Sequence, residues 1–217
     1  MKTDIQVQQD VLAELKWEPS VNAADIGVEV KDGVVTLAGH VDSYAEKWDA
    51  ERFAQRVTGV KALAVEIDVT LPGSSKRNDA DIARAAENVM EWMTYSPKDT
   101  VKIKVEGGWV TLSGEVEWEY QRRAAKNGVR QLMGVTGVSD QITLKPQASP
   151  DIVKSGIEAS LSRRAKADGK NIKVDVHGDQ VTLSGTVHSW DERKLAEQSA
   201  WSAPGVRRVV DNMVVNY

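Results

Sequence analysis

Three stretches decide the fold: VTLAGHV at Val35–Val41, VTLSGEV at Val110–Val116 and VTLSGTV at Val181–Val187. Their glycines, Gly39, Gly114 and Gly185, stand 75 and then 71 residues apart. A period that long is a whole small domain, so the chain reads as one module used three times. The expected boundaries are residues 1–72, 73–146 and 147–217.

The signals around each phrase recur with it. Upstream lies a period-2 apolar run: Ile26, Val28 and Val30; Val101, Ile103 and Val105; Ile172, Val174 and Val176. Such alternation marks a strand with one buried face. Asp32-Gly33, Gly107-Gly108 and Gly178-Asp179 join run to phrase, and these dipeptides suit tight hairpin turns. The phrase is the returning strand, and its glycine marks a bulge or a close backbone approach. Downstream, Ala50, Ala54 and Val57, then Ala125, Val129 and Leu132, then Ala196, Ala200 and Ala203 repeat one helical stripe. Twenty residues after each phrase glycine comes Gly-Val, at Gly59, Gly134 and Gly205. These glycines read as helix C′ caps, where a left-handed conformation is cheap. A third strand follows, with Val65, Ile67 and Val69 in the first copy. Each copy opens with a further helix, its start read at Asp4-Ile5, Asp81-Ile82 and Asp151-Ile152. In the second copy Ile82, Ala85, Ala86, Val89 and Met93 form its apolar face. The order is α-β-β-α-β three times, an α+β class. Short linkers fall at Leu71–Ser75 and Pro146–Pro150.

Composition limits the chemistry. With no cysteine, disulfides, thiolate metal sites and cysteine nucleophiles are excluded. No apolar run reaches the roughly 18 residues of a membrane span. Met1 is followed by polar, helix-like sequence, which reads as cytoplasmic, with a periplasmic site as the alternative if a leader has been removed. The net charge of −4 argues against a general nucleic-acid binder. The first module carries the acidity, with 7 Lys and Arg against 13 Asp and Glu.

The helix, hairpin, VTLSGxV, second helix and Gly-Val strand together resemble the BON domain family of bacterial osmotic-stress and nodulation proteins. All three copies carry the resemblance. It implies two helices on one face of a three-stranded mixed sheet. It also implies a non-enzymatic role, binding phospholipid or supporting the cell envelope under stress. The shared motif residues are structural, so no binding residue follows from the motif itself.

The residues bear out little else. His40, His177 and His188 share no slot and no metal-ligand spacing, so neither a metal nor a cofactor is expected. No repeated catalytic set is visible. Lys47, Arg122 and Arg193 occupy one position of the second helix; they suit either an anionic headgroup or a helix-surface ion pair. On the outer side of that helix stand Trp48 in the first copy and Arg123, Lys126 and Arg130 in the second, with Trp201 in the third. Tryptophan favours apolar–polar interfaces, and basic residues favour anionic lipid. The competing reading packs Trp48 and Trp201 between modules. Trp118, Tyr120 and Trp190 cluster near the strand-to-helix turn, as partner contacts or as a staple on the helix entry. Trp109 is expected in the core or on the sheet face. The resulting expectation is a non-catalytic binding protein that contacts an anionic phospholipid surface or an envelope protein. The alternative is a protein–protein scaffold or a self-associating module.

Overall fold

Side-chain caps start the first helix of the first two modules. Thr3 accepts from the Gln6 N–H at the head of α1 (Asp4–Trp17), and the Gln6 side chain accepts from the Thr3 N–H. Asn78 accepts from Asp81 N–H at the head of α3 (Asp79–Trp92). Each helix then clamps its own hairpin. The Asp4 carboxylate accepts from Asp32 N–H and Gly33 N–H at 2.8 and 3.0 Å, and Asp79 accepts from Gly107 N–H and Gly108 N–H at 2.8 and 2.9 Å. Asp4 therefore corresponds to Asp79, two residues before the Asp81 read as a helix start. The computed structural model describes residues 2–94, 100–145, 154–160, 172–203 and 205–216. The Asp151-Ile152 start and the Pro146–Pro150 linker lie outside them.

The three sheets share one topology. They comprise β1 (Ile26–Lys31), β2 (Val34–Val41) and β3 (Ala62–Val69); β4 (Val101–Glu106), β5 (Trp109–Val116) and β6 (Gly137–Leu144); and β7 (Ile172–His177), β8 (Gln180–Val187) and β9 (Arg208–Val215). In each the phrase strand is central, in the order of the chain. β1 runs antiparallel to β2 with Ile26 opposite Gly39, and β3 runs parallel to β2 with Val34 opposite Ala62. The third sheet repeats this register, Ile172 opposite Gly185 and Gln180 opposite Arg208. A parallel return needs a crossover helix. α2 (Tyr44–Arg56) and α6 (Trp190–Trp201) supply it in the outer modules, and α4 (Glu119–Arg130) lies between β5 and β6 in sequence. Residues 154–160 are helical (α5).

Alternation along the phrase divides core from surface. Val35, Leu37 and Val41 are buried and Val34 is exposed. Leu37, Leu112 and Leu183 are fully buried, each such side chain stabilising by about 1.5–3 kcal/mol. In the first module they meet Val7, Val11 and Leu15 of α1 and Ala50, Phe53 and Ala54 of α2. On α3 the buried residues are Ile82, Ala86 and Met90, while Val89 and Met93 are only partly covered.

The phrase glycine is a close approach. At Gly39, with φ +136°, a Cβ would stand on the Asp25 carbonyl oxygen; at Gly114, with φ +131°, it would stand on that of Thr100. The later glycines are not C′ caps. α2 ends at Arg56 with an extended cap at Val57, and Gly59 follows two residues on. There it sits in a turn closed by Val60 N–H donating to Val57 O; Leu132–Val135 and Ala203–Val206 close in the same way. At Gly59 a Cβ would meet Val7 of α1, and at Gly134 it would meet Ile82 of α3. These glycines let the turn approach the first helix rather than end the second.

The chain forms two compact units. One holds Met1–Lys98, Lys102–Leu112 and Ala125–Asp140, and the other holds Asp99–Val101, Ser113–Ala124 and Gln141–Tyr217. The middle repeat thus contributes residues to both.

Candidate functional site

The second helices of the three repeats start in register, at Tyr44, Glu119 and Trp190. Their repeated polar residues can be assigned one by one. Glu46, Gln121 and Glu192 close the helix entry. Glu46 accepts from Asn22 N–H and Asp42 N–H, Gln121 from Glu117 N–H and Trp118 N–H, and Glu192 from His188 N–H. Ser43 and Ser189, the N-caps, accept from Glu46 N–H and Glu192 N–H. The next slot is cationic in every copy, and each cation has a structural partner. Lys47 Nζ donates to Ile67 O at 2.7 Å, Arg122 pairs with Glu119 at 3.0 Å, and Arg193 pairs with Asp211 at 2.6 Å.

Trp48 is half-buried. The Arg130 guanidinium lies 3.8 Å from its ring centroid and that of Arg52 4.9 Å. Arg130 is only 7 % exposed, so it does not present an outward cation. Burial lowers its pKa, and nearby Tyr44, Asp49 and Glu51 oppose that shift. The indole face and these acids replace the water that the guanidinium has lost. Its Nε has no hydrogen-bond partner among the described residues. Burial pushes the pKa of Glu51 up, against Lys47 and Arg130, and pushes Tyr44 up as well.

Trp201 makes a second contact of this kind. Arg122 stands 5.0 Å from its ring centroid, and its indole N–H donates to Glu197 at 3.4 Å. Beside this pair a cleft of about 310 Å³ opens, lined by Arg122, Ile142, Thr143, Leu144, Asp179, Arg207 and Arg208. Arg207 Nε donates to Leu144 O at 3.0 Å, and Arg207 pairs with Asp179 at 3.1 Å. The sequence reading placed Asp179 only in a hairpin turn and did not single out Arg207 or Arg208, because the three acquire a common meaning only in the folded unit.

The remaining candidates separate. Arg123 is exposed and Lys126 half-buried on α4; Tyr120 is 49 % exposed; Trp118 and Trp190 are half-buried. Arg193 lies 5.1 Å from the Trp190 ring centroid. Trp109 is exposed, its ring lying over Gly137 of the neighbouring strand where a Cβ would collide with it. The most exposed aromatics among the described residues were missed. Trp17 and Trp92, 83 % and 87 % exposed, are the last residues of α1 and α3. They are 75 residues apart, the interval between the first two phrase glycines, and that spacing was available in the sequence.

His40, His177 and His188 are exposed. Among the described residues no His, Asp and Glu cluster could hold a metal, and no helix is long and apolar enough to cross a membrane. The site is one of cations, indole rings and carboxylates on repeated α+β modules, an arrangement suited to binding.

The chain belongs to the BON family. The BON domain model matches residues 3–70, 78–146 and 151–217. Osmotically-inducible protein Y of Escherichia coli (strain K12) is 29 % identical over 146 residues, covering 65 % of this chain and 73 % of the relative. Among solved structures, CdsD, a structural protein of the type III secretion system of Chlamydia trachomatis, aligns over 97 % of this chain and 92 % of its own at 14 % identity and a TM-score of 0.28. Its C-terminal domain aligns over the full length of both chains at 13 % identity and a TM-score of 0.27. The chain is therefore a BON-domain relative of an osmotically inducible protein.

Proposed function

We propose that this protein is a non-catalytic stress-associated binder that contacts phospholipid surfaces. The observation that carries this reading is the pair Trp17 and Trp92, each almost fully exposed at the same point of successive modules. Large exposed apolar groups mark interaction surfaces, and an indole at a helix end favours the headgroup boundary. Arg123 and Lys126 of α4 add attraction to anionic lipid, about 1 kcal/mol for each cation near such a surface. Arg130, buried against Trp48, takes no part.

Co-sedimentation with phosphatidylglycerol vesicles, alongside tryptophan emission, tests the reading. Binding with a blue shift is expected, lost in Trp17→Ala/Trp92→Ala and more salt-sensitive in the wild type than in Arg123→Glu/Lys126→Glu. No vesicle binding at low salt, or full binding by the double tryptophan variant, would overturn it. Recovery of a protein partner by a chain indifferent to vesicles would favour the scaffold alternative.

A further inference from the structure

The cleft beside Trp201 has a composition that the tryptophan pair and the family motif do not explain. Three arginines converge on it from separate segments: Arg122 from α4, and Arg207 and Arg208 at the start of β9. Two are fixed in place. Arg122 is held by Glu119 and lies beside the Trp201 ring; Arg207 is held by Leu144 O and Asp179. Fixing the Arg207 guanidinium by two of its nitrogens leaves its other terminal nitrogen aimed, with less side-chain entropy to lose on binding. The third is unengaged: the Arg208 guanidinium has no hydrogen bond or ion pair among the described residues. Ile142 and Leu144 give the cleft buried apolar walls, and Thr143 stands between them.

Charge decides the ligand class. Among the residues lining the cleft, three guanidinium groups stand against the one carboxylate of Asp179. A cleft of about 310 Å³ is at the small end of ligand pockets. The remaining donors of Arg207 and the unengaged fork of Arg208 match the oxygens of a tetrahedral oxoanion. The equivalent positions of the middle module carry no such set: Arg207 and Arg208 correspond to Thr136 and Gly137, and the Trp109 ring lies over Gly137.

We propose that this cleft binds a phosphate group, presented by a small phosphorylated molecule or by a lipid headgroup. The proposal does not depend on the tryptophan contact. The wild-type chain is titrated with inorganic pyrophosphate at constant ionic strength, following Trp201 emission and the arginine Nε–Hε resonances. A parallel arm uses phosphatidylglycerol vesicles with the Trp17→Ala/Trp92→Ala variant. Saturable pyrophosphate binding is expected, weakened about tenfold by Arg208→Ala, partly restored by Arg208→Lys and unchanged by Lys173→Ala. Arg208 is exposed, so its removal leaves the fold intact, and Lys173, exposed on β7, controls for general charge. Pyrophosphate binding identifies free phosphate as a source. Vesicle binding that survives the tryptophan change but is lost with Arg208→Ala identifies a headgroup. Binding in neither arm, or equal losses in Arg208→Ala and Lys173→Ala, would overturn the proposal.

Discussion

Two contacts of α4 make an instructive comparison. Near its C-terminus, Arg130 stacks 3.8 Å from Trp48 and is almost completely buried. Near its N-terminus, Arg122 stands 5.0 Å from Trp201, beside an open cleft with two further arginines. Both are cation–indole pairs, with the partners exchanged: in one α4 meets the tryptophan of the preceding repeat, in the other that of the following repeat. The first is dry, its charge opposed by Asp49, Glu51 and Tyr44. The second keeps solvent access and an excess of cation. One chemistry therefore serves cohesion at one place and leaves a binding site at the other. Burial, rather than residue type, separates the roles.

The largest expected effect follows from removing the dry pair. Arg130→Ala removes the most buried cation beside Trp48, Asp49 and Glu51, leaving them only Arg52 and Lys47, and costs about 2–3 kcal/mol, more than an exposed pair because the stack is desolvated. Chemical denaturation measures this as a lower midpoint, and no loss would show that the stack holds nothing. Arg122 is half-buried, although the Glu119 it pairs with is buried, so Arg122→Ala is expected to cost about 1–2 kcal/mol, less than Arg130→Ala. Equal losses in the two variants would erase the distinction.

The smallest effect is a pH dependence. Glu51 has its pKa raised by burial, so the folded state holds its proton more tightly than the unfolded state does. Its contribution is complete below the ordinary glutamate range and is lost as pH rises through the folded pKa. Glu51→Gln should therefore raise the melting temperature at neutral pH and have little effect in acid. A gain confined to acid would reverse the sign.

The fold was legible because its signals repeat. One alternating run can be ambiguous, whereas three with glycines at matching offsets fix the order of strands and helices. The misread glycines show the limit. Gly59 follows a helical stripe, which suggests a cap, but its need for positive φ comes from a turn pressed against Val7, a contact made with the first helix. Asp81 was chosen as a helix start because Asp-Ile recurs, while Asp79 is the residue that reaches the hairpin amides. Arg130 was placed outward by helical phase, which ignores a neighbouring module. Trp17 and Trp92 carried the repeat interval, yet lie far in sequence from the phrase. Arg207 and Arg208 carried no motif, and their meaning depends on strand β6 and helix α4 meeting them.

The most direct test follows the arginine Nε–Hε resonances through a pyrophosphate titration. Arg122, Arg207 and Arg208 should shift together along one saturable curve while Arg130 stays still. Uniform small shifts that include Arg130, or no saturable shift at Arg208, would contradict the division between a buried lock and an open oxoanion site.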